Sequence, residues 1–130
     1  MRRYCVLLLF LMAALFFTGC VYEEDENSRF IPGIYRGSSN LTYSHHTQFN
    51  GSHPTPIVID VIVNENAILD VVAIHHGDAQ LFFNIAFEYI RMNILEANGF
   101  ESVSDTFAGA TYSSRGIFDA ARQAILQATR

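Results

Sequence analysis

The stretch Ile57-Val58-Ile59-Asp60-Val61-Ile62-Val63, then Asn64-Glu65-Asn66, then Ala67-Ile68-Leu69-Asp70-Val71-Val72-Ala73-Ile74-His75 decides the fold. Its first segment is β-branched at every position except Asp60. Such residues suit a pleated, half-buried strand. Asn64-Glu65-Asn66 supplies a turn, and Asn tolerates the left-handed backbone conformation. Residues 67–75 repeat the strand pattern through Ile68, Val71, Val72 and Ile74. The expectation is an antiparallel β-hairpin.

Upstream, residues 33–38 (G-I-Y-R-G-S) read as a first short strand, with Ile34 and Tyr35 available for packing. Residues 38–56 are polar and turn-rich. They fit a loop, or a hairpin with an irregular strand near residues 41–49. Downstream the hydrophobic period changes. Leu81, Phe82, Ile85, Phe87, Tyr89, Ile90, Ile94 and Leu95 give residues 79–97 a wide apolar helical face. Asn98-Gly99 ends that helix, with Gly suited to the C-terminal cap. A second helix is expected over residues 113–128, capped by Ser113 or Ser114. Ile117, Phe118, Ala121, Ile125 and Ala128 line one of its faces. The fold class is α+β: a small antiparallel sheet with two helices packed on one face.

The N-terminus reads as an address. Arg2 and Arg3 precede an unbroken apolar run over residues 6–17, and Thr18-Gly19-Cys20 follows. This order is that of a secretory signal peptide, and the run is short for a membrane span. Small residues before Cys20 resemble a bacterial lipobox, with Phe17 where Leu is usual. The division is then a lipoprotein signal peptide over 1–19, an acidic tether over 20–32 and a folded domain over 33–130. Glu23, Glu24, Asp25 and Glu26 make the tether a solvated spacer. Lipid on Cys20 would hold the protein to a membrane, each buried methylene adding roughly 0.8 kcal/mol. The alternative is an uncleaved anchor helix. Both readings put the domain outside the cytoplasm, tethered to a membrane.

Composition excludes several functions. All eight basic residues are Arg, and two of them are Arg2 and Arg3, so the part beyond the signal peptide is more acidic than the chain's net charge of −5. An acidic domain without a basic face is a poor partner for nucleic acid, where affinity rests on neutralised phosphates. Cys5 and Cys20 are the two cysteines, so the domain beyond them has no disulfide and no thiolate metal site. His75 and His76 end a strand and point to opposite faces, as His45 and His46 are expected to do; together with His53 they do not make a metal site. Ser113 and Ser114 have no His or Asp beside them in sequence and are not convincing nucleophiles.

Between the helices lies Asp105-Thr106-Phe107-Ala108-Gly109-Ala110-Thr111-Tyr112-Ser113-Ser114. It is a loop of small residues running into a helix start. Gly109 and Ala110 allow close approach to the backbone. The helix start offers unpaired N–H groups and a positive dipole end, which suit a phosphate. Thr111 places a hydroxyl there, and Arg115 in the first turn adds a cation. On these grounds alone, a generic anion site and a capping loop without ligand both fit.

The stretch D-T-F-A-G-A-T-Y-S-S-R-G-I resembles the D-x-x-S/T-G-A-T-x-[ST]-S motif of FMN-binding domains. These domains occur within the sodium-translocating NADH:quinone reductase, within the related Rnf complex, and in many small exported proteins. The resemblance implies that Thr111 carries FMN through a phosphoester made by a separate exported flavin transferase. Asp105 matches the Asp that opens the motif, Gly109 and Ala110 its G-A, and Ser113 and Ser114 its closing hydroxyls. Ala108 stands where the family usually has Ser or Thr. Elsewhere Ile34-Tyr35-Arg36-Gly37 resembles the opening Y-x-G segment, and residues 57–75 the hairpin, with Asn66 where Gly is common. His76-Gly77-Asp78 resembles a polar H-x-[DE]-T loop, with Ala79 in place of Thr, which puts His76 and Asp78 near the flavin.

Flavin would supply the redox chemistry and the protein its position and electronics. Tyr35, Tyr112, Phe107 and Ile74 are candidates for the ring's wall, each balanced against plain core packing. The function expected is electron transfer with redox partner proteins, as a component rather than a stand-alone enzyme. Other readings are a degenerate FMN-binding fold acting as an interaction lipoprotein, a non-covalent FMN binder, and a reductase with its own substrate. No dedicated acid–base pair supports the last.

Overall fold

The computed structural model describes residues 28–41 and 55–130. The N-terminal segment with Cys20, and His45, His46 and His53, lie outside the described residues. Strand β1 is Gly33–Ser39, β2 is Ile57–Val63 and β3 is Ile68–His75. Helix α1 is Gln80–Ala97 and α2 is Thr111–Ala128. The sheet is antiparallel throughout, in the order β1-β2-β3. This is the α+β architecture expected.

β2 forms the middle of the sheet, paired with β1 along one edge and β3 along the other. Ile57, Ile59, Val61 and Val63 are buried, while Val58, Asp60 and Ile62 turn to the other face and stay half-buried. α2 lies across β1 and β2, and α1 packs on β3 and on α2. Close packing of α2 on β1 depends on Gly37. A Cβ there would stand 1.8 Å from the Ala120 carbonyl oxygen, so no side chain fits between strand and helix. β2 and β3 lose register at two places, leaving Leu69 and Ile74 without a partner across the ladder. Both are exposed. Extra residues of this kind bend a strand and raise its twist.

Four local expectations are corrected. The Asn residues of the hairpin turn do not use positive φ. Instead the Asn64 Oδ1 accepts the Asn66 and Ala67 N–H groups at 2.9 and 2.7 Å, a side-chain-closed turn. The cap of α1 is Asn98 rather than Gly99: Asn98 takes φ 50, ψ 39. Its side chain explains the choice. Oδ1 accepts the Ile68 N–H at 2.7 Å and Nδ2 donates to the Asn66 carbonyl at 2.9 Å, so the cap also fastens the hairpin. The buried stripe of α1 is Phe83, Ala86, Ile90 and Ile94. Leu81, Phe82 and Ile85, expected on the packed face, are exposed. Finally, α2 begins at Thr111, before the serines, after Ala110 as N-cap with no capping side chain.

Order also extends ahead of β1, into the stretch read as tether. Phe30 is fully buried and pairs with Thr129. The Arg29 and Phe30 N–H groups donate to the Glu65 carbonyl, and Ile31 N–H donates to that of Ala128. Among the described residues no helix is long and apolar enough to cross a membrane.

Candidate functional site

The loop before α2 has a fixed shape. Gly109 takes φ +89, with open space where a Cβ would stand. Conformation therefore requires glycine there, and crowding does not. Ser114 closes the loop from inside. Its hydroxyl accepts the Phe107 N–H at 3.1 Å and donates to the Thr111 carbonyl at 3.0 Å. Ala110 N–H donates to Phe107 C=O at 3.1 Å. The serines are thus not caps. Ser114 holds the loop, and Ser113 donates its hydroxyl to the buried Asp78 carboxylate, which has further partners.

This last bond joins two parts of the expected site. Asp78 follows β3, and Ser113 lies in the first turn of α2. A carboxylate at this end of a helix meets the positive end of its dipole. His76, from the same loop, goes elsewhere. Its ring stacks on Phe83 at 3.6 Å between centroids, and its Nδ1 is buried without a hydrogen-bond partner. His75 is exposed.

A cleft of about 330 Å³ opens at the helix start, lined by Phe82, Gly109, Ala110, Thr111, Tyr112 and Ser113. Ligand sites run from roughly 300 Å³ upward, so this one is small but sufficient for a ligand held partly in the open. Thr111 is the first residue of α2 and half-buried at the cleft. Ala108 is exposed in the turn, so the missing hydroxyl leaves no buried group unsatisfied. Arg115 is turned to Asp105 at 3.9 Å, both half-exposed. Such a pair is worth at most about 1 kcal/mol and exchanges readily.

Of the wall candidates, only Tyr112 lines the cleft among the described residues. Phe107 packs on Tyr89 at 5.0 Å. The Tyr35 hydroxyl donates to the Ile31 carbonyl at 2.9 Å, and Ile74 is exposed at a sheet irregularity. Phe82 also lines the cleft, a place its sequence context does not mark, because a stripe of apolar residues on a helix looks like core. No cluster that could hold a metal ion occurs among the described residues.

A helix start whose N-cap residue brings no side-chain bond, a hydroxyl on its first residue and an aromatic-lined cleft fit a ligand with a phosphate at one end and a flat ring at the other. Fold and site together define a small α+β ligand-binding domain. The FMN-binding domain family matches residues 53–126, more than half of the chain, and the chain belongs to that family. FMN is the cofactor this membership indicates. No curated protein matches the chain.

Proposed function

We propose that the protein is an exported, membrane-tethered flavoprotein that carries FMN on Thr111 and passes electrons between redox partner proteins. Family membership supports FMN. The observation that carries the attachment site is the position of Thr111, first in α2 and at the cleft. Helix N–H groups there can hold the phosphate while the hydroxyl oxygen forms the new bond to phosphorus. That step releases the hydroxyl proton and breaks one P–O bond of an activated flavin nucleotide, whose leaving group takes the electron pair. An exported flavin transferase would catalyse it. A covalent link keeps the cofactor from being lost by dilution outside the cell and leaves the ring free for redox work.

The tether in this reading is lipid on Cys20, reinforcing export by the N-terminal signal. A non-covalent FMN site, or a degenerate one in an interaction lipoprotein, is the second reading. Ala108 favours it, because the hydroxyl usual at that position is missing. The experiment is expression of the full precursor with a flavin transferase. Flavin fluorescence retained on a denaturing gel, an FMN mass adduct, and loss of both in Thr111→Ala are expected. A band without adduct sinks the covalent reading. Release of the protein from membranes by Cys20→Ala tests the tether.

A further inference from the structure

Helix α1 exposes Leu81, Phe82 and Ile85 at the end beside the cleft, and Met92 two turns further on. Leu81 is 67% exposed, Phe82 49% and Ile85 45%, and Tyr112 on α2 is 42% exposed. The packing of α1 does not need them, since Phe83, Ala86, Ile90 and Ile94 already form its buried stripe. Phe83 in particular fills the core position at this level, stacked between His76 and Phe87. One exposed apolar residue is ordinary. A group of them at the mouth of a concave site marks contact with a ligand or partner. Phe82 is the member of this group on α1 that enters the cleft lining, together with Thr111 and Tyr112.

We propose that Phe82 is the wall against which the isoalloxazine ring of the flavin packs, with Tyr112 at the same cleft. The proposal rests on the reading of Thr111 as the attachment site. A flat aromatic ring gains by offset contact with another ring, and water is excluded from the covered face. The fold also fixes the distance between wall and attachment point. Asp78 anchors the loop ahead of α1 to Ser113 on α2, and α1 begins immediately afterwards, its Phe83 N–H bonded to the Ala79 carbonyl at 3.0 Å. Phe82 and Thr111 therefore sit on two helix starts joined by one buried bond. Phe82 is a contact residue here, and Asp78 a positioning residue.

The test uses the full chain loaded by its flavin transferase, as parent, Phe82→Ala and Phe82→Leu. Intact mass reports attachment, and far-UV circular dichroism reports folding, which a half-exposed side chain should barely affect. Iodide quenching of flavin fluorescence and visible circular dichroism report the ring's surroundings. Phe82→Ala should keep the adduct, raise the quenching constant at least about twofold and lose most of the visible dichroism, with Phe82→Leu between. Identical quenching and dichroism in loaded parent and Phe82→Ala would overturn the wall. If the parent carries no adduct, the Thr111 reading fails, and riboflavin, which has no phosphate, is titrated instead. Binding weakened about tenfold by Phe82→Ala then supports the wall. Equal affinity, or no binding to the parent, overturns it.

Discussion

The Ser113 hydroxyl donates to the Asp78 carboxylate, and both residues are buried. One hydrogen bond thus ties the end of the sheet to the helix start where Thr111 stands. A bond to a charged group contributes about 1.5–3 kcal/mol, and a buried group left without its partner costs about 1–3 kcal/mol. Ser113→Ala should lower stability within that range. Asp78→Ala should cost more, because Asp78 holds other partners too. Asp78→Asn keeps an acceptor oxygen and should cost less than Asp78→Ala. Urea unfolding of the single and double variants gives the coupling energy, and a value near zero would refute the link.

Ser114 has a different part. Its hydroxyl ties the loop to α2 by accepting the Phe107 N–H, and donates to the Thr111 carbonyl within the helix's first turn. Ser114→Ala should cost about 1–2 kcal/mol. It should also speed exchange of the Phe107 amide hydrogen well beyond the change in global stability. Exchange that follows global unfolding alone would show the loop is held by other contacts.

Asn98 separates backbone conformation from hydrogen bonding. Asn98→Gly keeps the left-handed cap and loses only the bonds to Ile68 and Asn66. About 1–3 kcal/mol should disappear. Asn98→Ala loses the same bonds and adds about 1 kcal/mol of backbone strain. Denaturation midpoints should therefore rank parent, then Gly, then Ala. A reversed order of the two variants would contradict this account of the cap.

Gly37→Ala is expected to be worse than either. The new Cβ would meet backbone at 1.8 Å, and no rotamer relieves that. Separating β1 from α2 should cost at least about 2 kcal/mol, read as a lowered urea midpoint. A midpoint within error of the parent would mean that the strand shifts freely.

Arg36 and Asp60 face each other across β1 and β2, with two bonds of 2.7 and 2.8 Å. The guanidinium holds the Asp60 carboxyl below the usual carboxylate range. The sign follows. The unfolded chain titrates Asp near pH ~3.9. The pair's stabilisation is present above that pH and is lost as pH falls through the lowered folded value. The stability gap between parent and Asp60→Asn should therefore be constant at neutral pH and shrink below about pH 4. Urea midpoints across the acid range check it; a gap that does not depend on pH would deny the pair this role.

Local pattern carried most of the architecture. β-branching marked β2 and β3 closely, and apolar period marked both helices. Where local pattern misleads, a distant residue makes the choice. Asn98 wins over Gly99 because Asn66 and Ile68 offer it partners across the fold. Ser113 and Ser114 look like caps until Asp78 and the Phe107 amide are found beside them. Phe30 lies in an acidic, tether-like context and is buried by a contact with Thr129 near the far end of the chain. At the cleft, the small residues from Gly109 to Thr111 were legible because their chemistry is local. Phe82 was not: α1 has apolar residues around much of its circumference, and period alone does not say which of them face the core.

The Ser114 clasp makes the loop a separable unit. Both bonds that close the loop come from within the stretch that carries Thr111. The hydroxyl is thus displayed by a self-contained cassette: a short turn, a glycine bend and the opening of a helix. Grafted onto the first turn of a helix in an unrelated scaffold, the same stretch should keep its bend and still offer its threonine.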